Sequence, residues 1–286
     1  VRAIEQRVTR IERAIARRIE RRVVRPLERG VNWRKQRVHM LHVGKTAGTA
    51  VKDALTSPQA GVGRYEIVAH EHPTHLPEIP KGEKVFFVVR DPVDRFVSGF
   101  NSRLRQGRPR HDWPWTPAEE IAFEQFRTAD MLGRALSSED VQVRAQAFTA
   151  MISIRHVRDS YWRWFGSREY LDTRLDDLLL ILWMPDLAVT FPQLRDLLGL
   201  PSSIQLPSDD LRSHRSPGTV DRTLSAVSRR NLEMWFGRDF AFIDYCAQLD
   251  CFAGPSRKSV DVSPPGSDLG ETAPASHLAD IGDSAV

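Results

Sequence analysis

Two stretches of this chain are apolar without a break: Val85-Phe86-Phe87-Val88-Val89 and Leu178-Leu179-Leu180-Ile181-Leu182-Trp183. A strand with water on one face alternates polar and apolar residues. A strand that reads as one continuous apolar run is covered on both faces, as a parallel strand between helical layers is. Val38–Val43 reads as another short buried strand, and Tyr65–Ala69 as a fourth. Helical patterns lie between the strands, over 45–55 and 93–104. Thr116 and Glu119 form a capping box with Pro117 at the first helical position. A long helix is expected over 140–165, stopped by Gly166, with further helix over 193–198 and a mostly helical stretch over 225–249. Strands alternating with helices predict an α/β fold, a parallel sheet flanked by helices.

Composition sets the outer bounds. Hydrophobic residues are 41% of the 286, enough for a sizeable core, and 41 basic against 37 acidic residues leave a net charge of +4. Cys246 and Cys251, the only cysteines, cannot frame a secreted disulfide fold and lack zinc-ligand company. A reducing, cytoplasmic setting is expected. No apolar run approaches the roughly 18 residues of a membrane span, and charge from Arg2 onward argues against a signal peptide.

Residues 1–30 form a separate block. Ile4, Val8, Ile11, Ile15 and Ile19 share one helical face, and ten arginines and four glutamates occupy the others. This basic amphipathic helix suits packing on its own domain, self-association, or peripheral contact with an anionic membrane, at the inner face for a cytoplasmic protein. Aromatic interleaving is absent, so nucleic acid is not an expected partner. The expected organisation is a helical extension over 1–36, an α/β domain over 37–252 and a disordered tail over 253–286, where Pro, Ser, Gly and Asp dominate.

Chemistry concentrates at two strand ends. After the first strand comes Gly44-Lys45-Thr46-Ala47-Gly48-Thr49-Ala50. Gly44 and Gly48 let backbone approach a ligand, the amides of Thr46 to Ala50 open a helix N-terminus that favours an anion, and Lys45 adds a full charge. A plain glycine-containing turn is the alternative. A nucleoside-triphosphate loop would need a first glycine where His39 stands, inside the expected strand. After the third strand comes Arg90-Asp91-Pro92, with Ser98 one to two turns into the next helix, so that Arg90 and Ser98 can converge on one anion. A local Arg90–Asp91 ion pair and a small packing serine are the alternatives.

Together the two loops resemble those of the sulfotransferases that use 3′-phosphoadenosine 5′-phosphosulfate (PAPS), in particular the carbohydrate-type branch that includes heparan sulfate 2-O-sulfotransferases and bacterial relatives. The resemblance implies a P-loop-like fold, a 5′-phosphosulfate held by residues 44–50, a 3′-phosphate held by Arg90 and Ser98, no metal, and a carbohydrate or glycolipid hydroxyl as acceptor. It also implies a histidine base about 20 residues before the 3′-phosphate arginine. His70 lies 20 before Arg90 and is the first choice; His72 is the second. With His75 these could instead cluster on a metal, or be solvated loop residues. His156 is expected on a helix, with a structural or acceptor-facing role. Arg215, in the 213–218 loop, stands where the family closes a late loop over the nucleotide. Arg103, Arg105, Arg108, Arg110, Trp113 and Trp115 suit a sugar or an anionic acceptor, or form a surface loop without a ligand. The run Trp183-Met184-Pro185-Asp186 departs from the family's polar residues at that place. A P-loop kinase and an inactive nucleotide-binding adaptor are the rival readings.

Overall fold

A computed structural model describes residues 35–57, 63–207 and 221–255. The expected helix over 1–30, Arg215 and the tail past 255 lie outside the described residues.

Among the described residues, five strands form one all-parallel sheet in the order β2-β1-β3-β4-β5. They are β1 (Arg37–Leu41), β2 (Glu66–Ala69), β3 (Lys84–Val89), β4 (Leu178–Trp183) and β5 (Phe252–Ala253). Helix α1 (Gly48–Leu55) joins β1 to β2, and α2 (Pro92–Leu104) follows β3. The long passage to β4 holds α3 (Pro117–Gln125), α4 (Ala129–Ala135), α5 (Val141–Ser153), α6 (Trp162–Phe165) and α7 (Arg168–Asp172). Then come α8 (Leu187–Leu197), α9 (Ala226–Trp235) and α10 (Gly237–Cys246). This is the parallel sheet flanked by helices that the apolar runs predict, and it is consistent with the P-loop-like fold that the resemblance implies.

The core explains why β3 does not alternate. Val85, Phe87 and Val89 pack with Leu41, Trp164, Phe165 and Phe242 on one face of the sheet. Phe86 and Val88 pack with Met40, Val51, Phe191 and Leu194 on the other. A third cluster joins Phe96 and Phe100 of α2 to Phe123, Leu132, Met151 and Leu232, so α3, α4, α5 and α9 form a helical lobe on α2.

Two expectations need correcting here. The helix expected over 140–165 stops at Ser153, because carboxylates from elsewhere take the amides that would continue it. Arg155 N–H donates to Glu119 Oε1 at 3.0 Å, and Tyr161 N–H to Asp239 Oδ1 at 2.9 Å. The stretch 225–249, expected to be mostly helical, is so, as two helices α9 and α10 that meet at Phe236. Chain past the expected boundary at 252 still belongs to the sheet, since Ala253 pairs with Leu182.

Connectivity creates a crevice. The chain steps from β1 out to β2, returns across β1 to β3, and then moves outward through β4. The carboxyl ends of β1 and β3 therefore flank the switch point, where open parallel sheets take their ligands. Leu41 pairs with Phe87; the same register carried onward sets Gly44 level with Arg90.

Candidate functional site

The loop after β1 is tightly wound. Lys45 and Ala47 both adopt the left-handed region, at φ 67° and 65°, a conformation that side-chain-bearing residues adopt only under constraint. Thr46 Oγ1 donates to the Val43 carbonyl at 3.0 Å, so its side chain braces the turn. The amides of residues 45–49 have no acceptor among the described residues and open at the N-terminus of α1. Ala50 was expected to share this role, but its amide donates to the Ala47 carbonyl at 3.1 Å. The two glycines differ. A Cβ on Gly44 would make ordinary contact with His156 Nδ1 at 3.5 Å, whereas one on Gly48 would lie 2.2 Å from the His42 ring. Gly48 is required by the packing of His42 as well as by access to the loop.

Arg90 is fixed through its backbone. Its N–H donates to Tyr161 Oη at 2.9 Å, and that hydroxyl donates back to the Arg90 carbonyl at 2.7 Å. Asp91 caps α2 by accepting from the amides of Val93 and Asp94, and Pro92 occupies the first turn, where no N–H is needed. Ser98, Asn101 and Arg105 are spaced to share one face of α2. Asn101 Nδ2 donates to the Asp221 carbonyl at 3.0 Å, which holds Arg222 to this side of the site.

Four cations therefore gather: Lys45, Arg90, Arg105 and Arg222. Burial, then Arg105 and Arg90, push the Lys45 ammonium down to about 8. Burial and Arg222 also lower Arg90, opposed by Asp94, and burial and Arg222 lower Arg105. Arg90 Nε and Arg105 Nη1 are buried without a hydrogen-bond partner among the described residues. Buried guanidinium donors with no acceptor, beside open amides, fit an anion with several oxygens. Arg103 plays no part in this. It is fully buried and joined to both carboxylate oxygens of Glu119, at 2.8 and 2.7 Å.

The histidines separate into two groups. His70 Nε2 lies 2.8 Å from His39 Nδ1, and His39 Nε2 lies 2.5 Å from Glu83 Oε2. The His70 ring stacks on His39, with burial and His39 lowering its pKa against Glu78. His72 faces the other way. Its Nδ1 donates to the His42 carbonyl at 3.1 Å, which leaves Nε2 as the lone-pair nitrogen of the neutral ring, with no partner among the described residues. The His72 ring packs on His42 at 4.0 Å and on His156 at 5.9 Å. His156, expected on a helix, sits in a turn past α5 at φ 66° and touches Gly44 and Gly99. Burial, Lys45 and His72 hold it well below the ordinary imidazole range, hence neutral. His72, and not His70, is thus the ring that packs on His42 and His156, the two histidines beside the cradle. His70, His72 and His75 do not converge, and among the described residues no group of three His, Cys, Asp or Glu side chains is arranged to hold a metal ion.

Sequence reasoning missed Arg222 and Tyr161. Arg222 lies seven residues past Arg215, the loop arginine named from the resemblance. Nothing local marked Tyr161, whose partner is 71 residues away. No protein-family model and no curated protein matches this chain.

Proposed function

We propose that the chain is a sulfotransferase, moving a sulfuryl group from PAPS to a hydroxyl of a carbohydrate or glycolipid. One observation carries the reading: a cradle of open amides and unpaired buried cations meets, at a single switch point, an imidazole whose tautomer leaves Nε2 free. The amides of residues 45–49 and Lys45 hold the phosphosulfate end. Arg90 and Ser98 hold the 3′-phosphate, with Arg105 and Arg222 alongside. The donor supplies a sulfuryl group already bonded to a phosphate leaving group. His72 Nε2 takes the acceptor proton as the acceptor oxygen bonds to sulfur and the bond from sulfur to the bridging oxygen breaks. Lys45 offsets the charge left on that bridging oxygen. His42 and His156 keep the His72 ring in place. A cytoplasmic location, with residues 1–30 meeting a membrane surface or a second copy, belongs to the same proposal. Among the described residues no helix is long and apolar enough to cross a membrane.

The test is transfer of labelled sulfate from PAPS to a saccharide panel. His72→Ala should lower kcat by roughly 10²–10⁴-fold, the usual worth of a positioned base, while His70→Ala stays far milder. The reverse pattern would return the role to His70. Binding of the desulfated product PAP with no transfer to any hydroxyl would favour the adaptor reading.

A further inference from the structure

The loop between α2 and α3 holds an aromatic pair in the open. His111 and Trp113 stack in parallel, ring centroids 4.1 Å apart at 6°, and Trp113 is 46% exposed. This exposure is built into the loop. Gly107, at φ 83°, leaves room for the pair: a Cβ there would lie 3.0 Å from His111 Cβ and 3.4 Å from Trp113 Cε3. Trp113 N–H donates to the Gln106 carbonyl at 2.8 Å. Beneath, Arg103 donates from Nη1 to the Trp113 carbonyl at 3.2 Å and from Nη2 to the Pro114 carbonyl at 3.1 Å. The neighbouring Trp115 is an anchor, with Nε1 donating to the Arg103 carbonyl at 2.7 Å and its ring against Phe123. One tryptophan fastens the loop and the other is presented.

The loop also reaches the cradle. Arg110 pairs with Asp53 of α1 at 3.7 Å, and burial, Arg110 and Lys45 together lower the His111 pKa. The ion pair thus ties the loop that carries the stack to α1, the helix the cradle opens, and the Lys45 charge reaches the stack. Cations around it would repel a cationic guest, so it is no cage for an ammonium group. A flat, amphipathic aromatic face held rigid beside a transfer site suits a neutral ring with an apolar C–H face and polar edges.

We infer that the His111–Trp113 stack is the floor of the acceptor subsite and takes a pyranose with equatorial hydroxyls against its face, a statement that rests on reading the cradle as the donor site. The experiment is saturation-transfer NMR on the full chain with cellobiose as probe and no donor present. Beside it, PAP affinity and thermal melting are measured for the wild type, Trp113→Ala and Trp113→Phe. Saturation should reach the C–H protons of cellobiose in the wild type and in Trp113→Phe. It should fall roughly three- to tenfold in Trp113→Ala, with PAP affinity and melting unchanged. Undiminished saturation in Trp113→Ala would overturn the inference. So would a loss of PAP affinity in a folded Trp113→Ala, which would give the stack to the donor's base. A wild type that contacts cellobiose through Trp113 but ignores PAP would remove the donor reading and leave the saccharide floor standing.

Discussion

Lys45 carries the heaviest electrostatic load. It sits half-buried with Arg90 and Arg105 nearby and no carboxylate partner among the described residues, and its ammonium is pushed down to about 8. An anion in the cradle reverses the cause and raises the group again. PAP binding should therefore take up a proton around pH 8. Because the pKa is higher in the complex, affinity is full below the free value and declines as pH rises through the bound one. Calorimetry at pH 8 in buffers of different ionisation heat checks this, and binding without proton uptake would count against it. The same load destabilises the unliganded fold wherever Lys45 is charged, so Lys45→Met should raise the melting temperature at pH 7 while abolishing turnover. A variant that melts lower would show that the aliphatic stem, and not the charge, dominates there. Gly48 shows how a small residue acts at a distance: any side chain there presses on His42, and through it on His72.

The elements differ in how far local sequence determines them. Strands β3 and β4 were legible because each is covered on both faces and shows it residue by residue. The turn into α2 was legible because Asp91 and Pro92 act on the amides next to them. The break after α5 was not, since Glu119 and Asp239 reach it from 36 and 78 residues away. Nor was the choice between His70 and His72. Both follow β2, and only the pairing with β1 sets His70 against His39 and His72 against His42. Two predictions belong at this scale. Tyr161→Phe removes both bonds to the Arg90 backbone and should weaken PAP binding roughly three- to thirtyfold with little change in cellobiose contact. Equal loss of both would indicate general loosening. Glu119→Ala leaves Arg103 buried without its partner and should lower the stability measured in denaturant by about 3–5 kcal/mol. Burial alone would raise the Glu119 pKa, but the Arg103 bonds and the amides of Thr116 and Arg155 hold it at about 2. Its contribution is therefore present above the ordinary carboxylate range and lost as pH falls toward 2.

For the whole molecule, the strand order decides where function can sit. Among the described residues, the β1–β3 switch point brings the cradle loop and Arg90 to one edge of the sheet, with His72 packed on His42 just before the loop. The fold class was legible because strand and helix patterns alternate; the site was legible as two loops, and their meeting followed from topology. Residues 1–34 precede β1, whose burial begins at Val38 against β3 and α1. A chain of residues 35–286 should melt close to the full-length protein and bind PAP equally, while losing self-association or lipid binding; an unfolded product would place the Ile4–Ile19 stripe in the domain core. In the proposed function the crevice is a donor site for a 3′-phosphorylated nucleotide. Calorimetric titration of the wild type and Arg90→Ala with PAP and with ATP tests it most directly. Such a site gives saturable PAP binding, weakened roughly tenfold or more in Arg90→Ala, and no heat from ATP. ATP binding as tightly as PAP, with neither affected by Arg90→Ala, would contradict it.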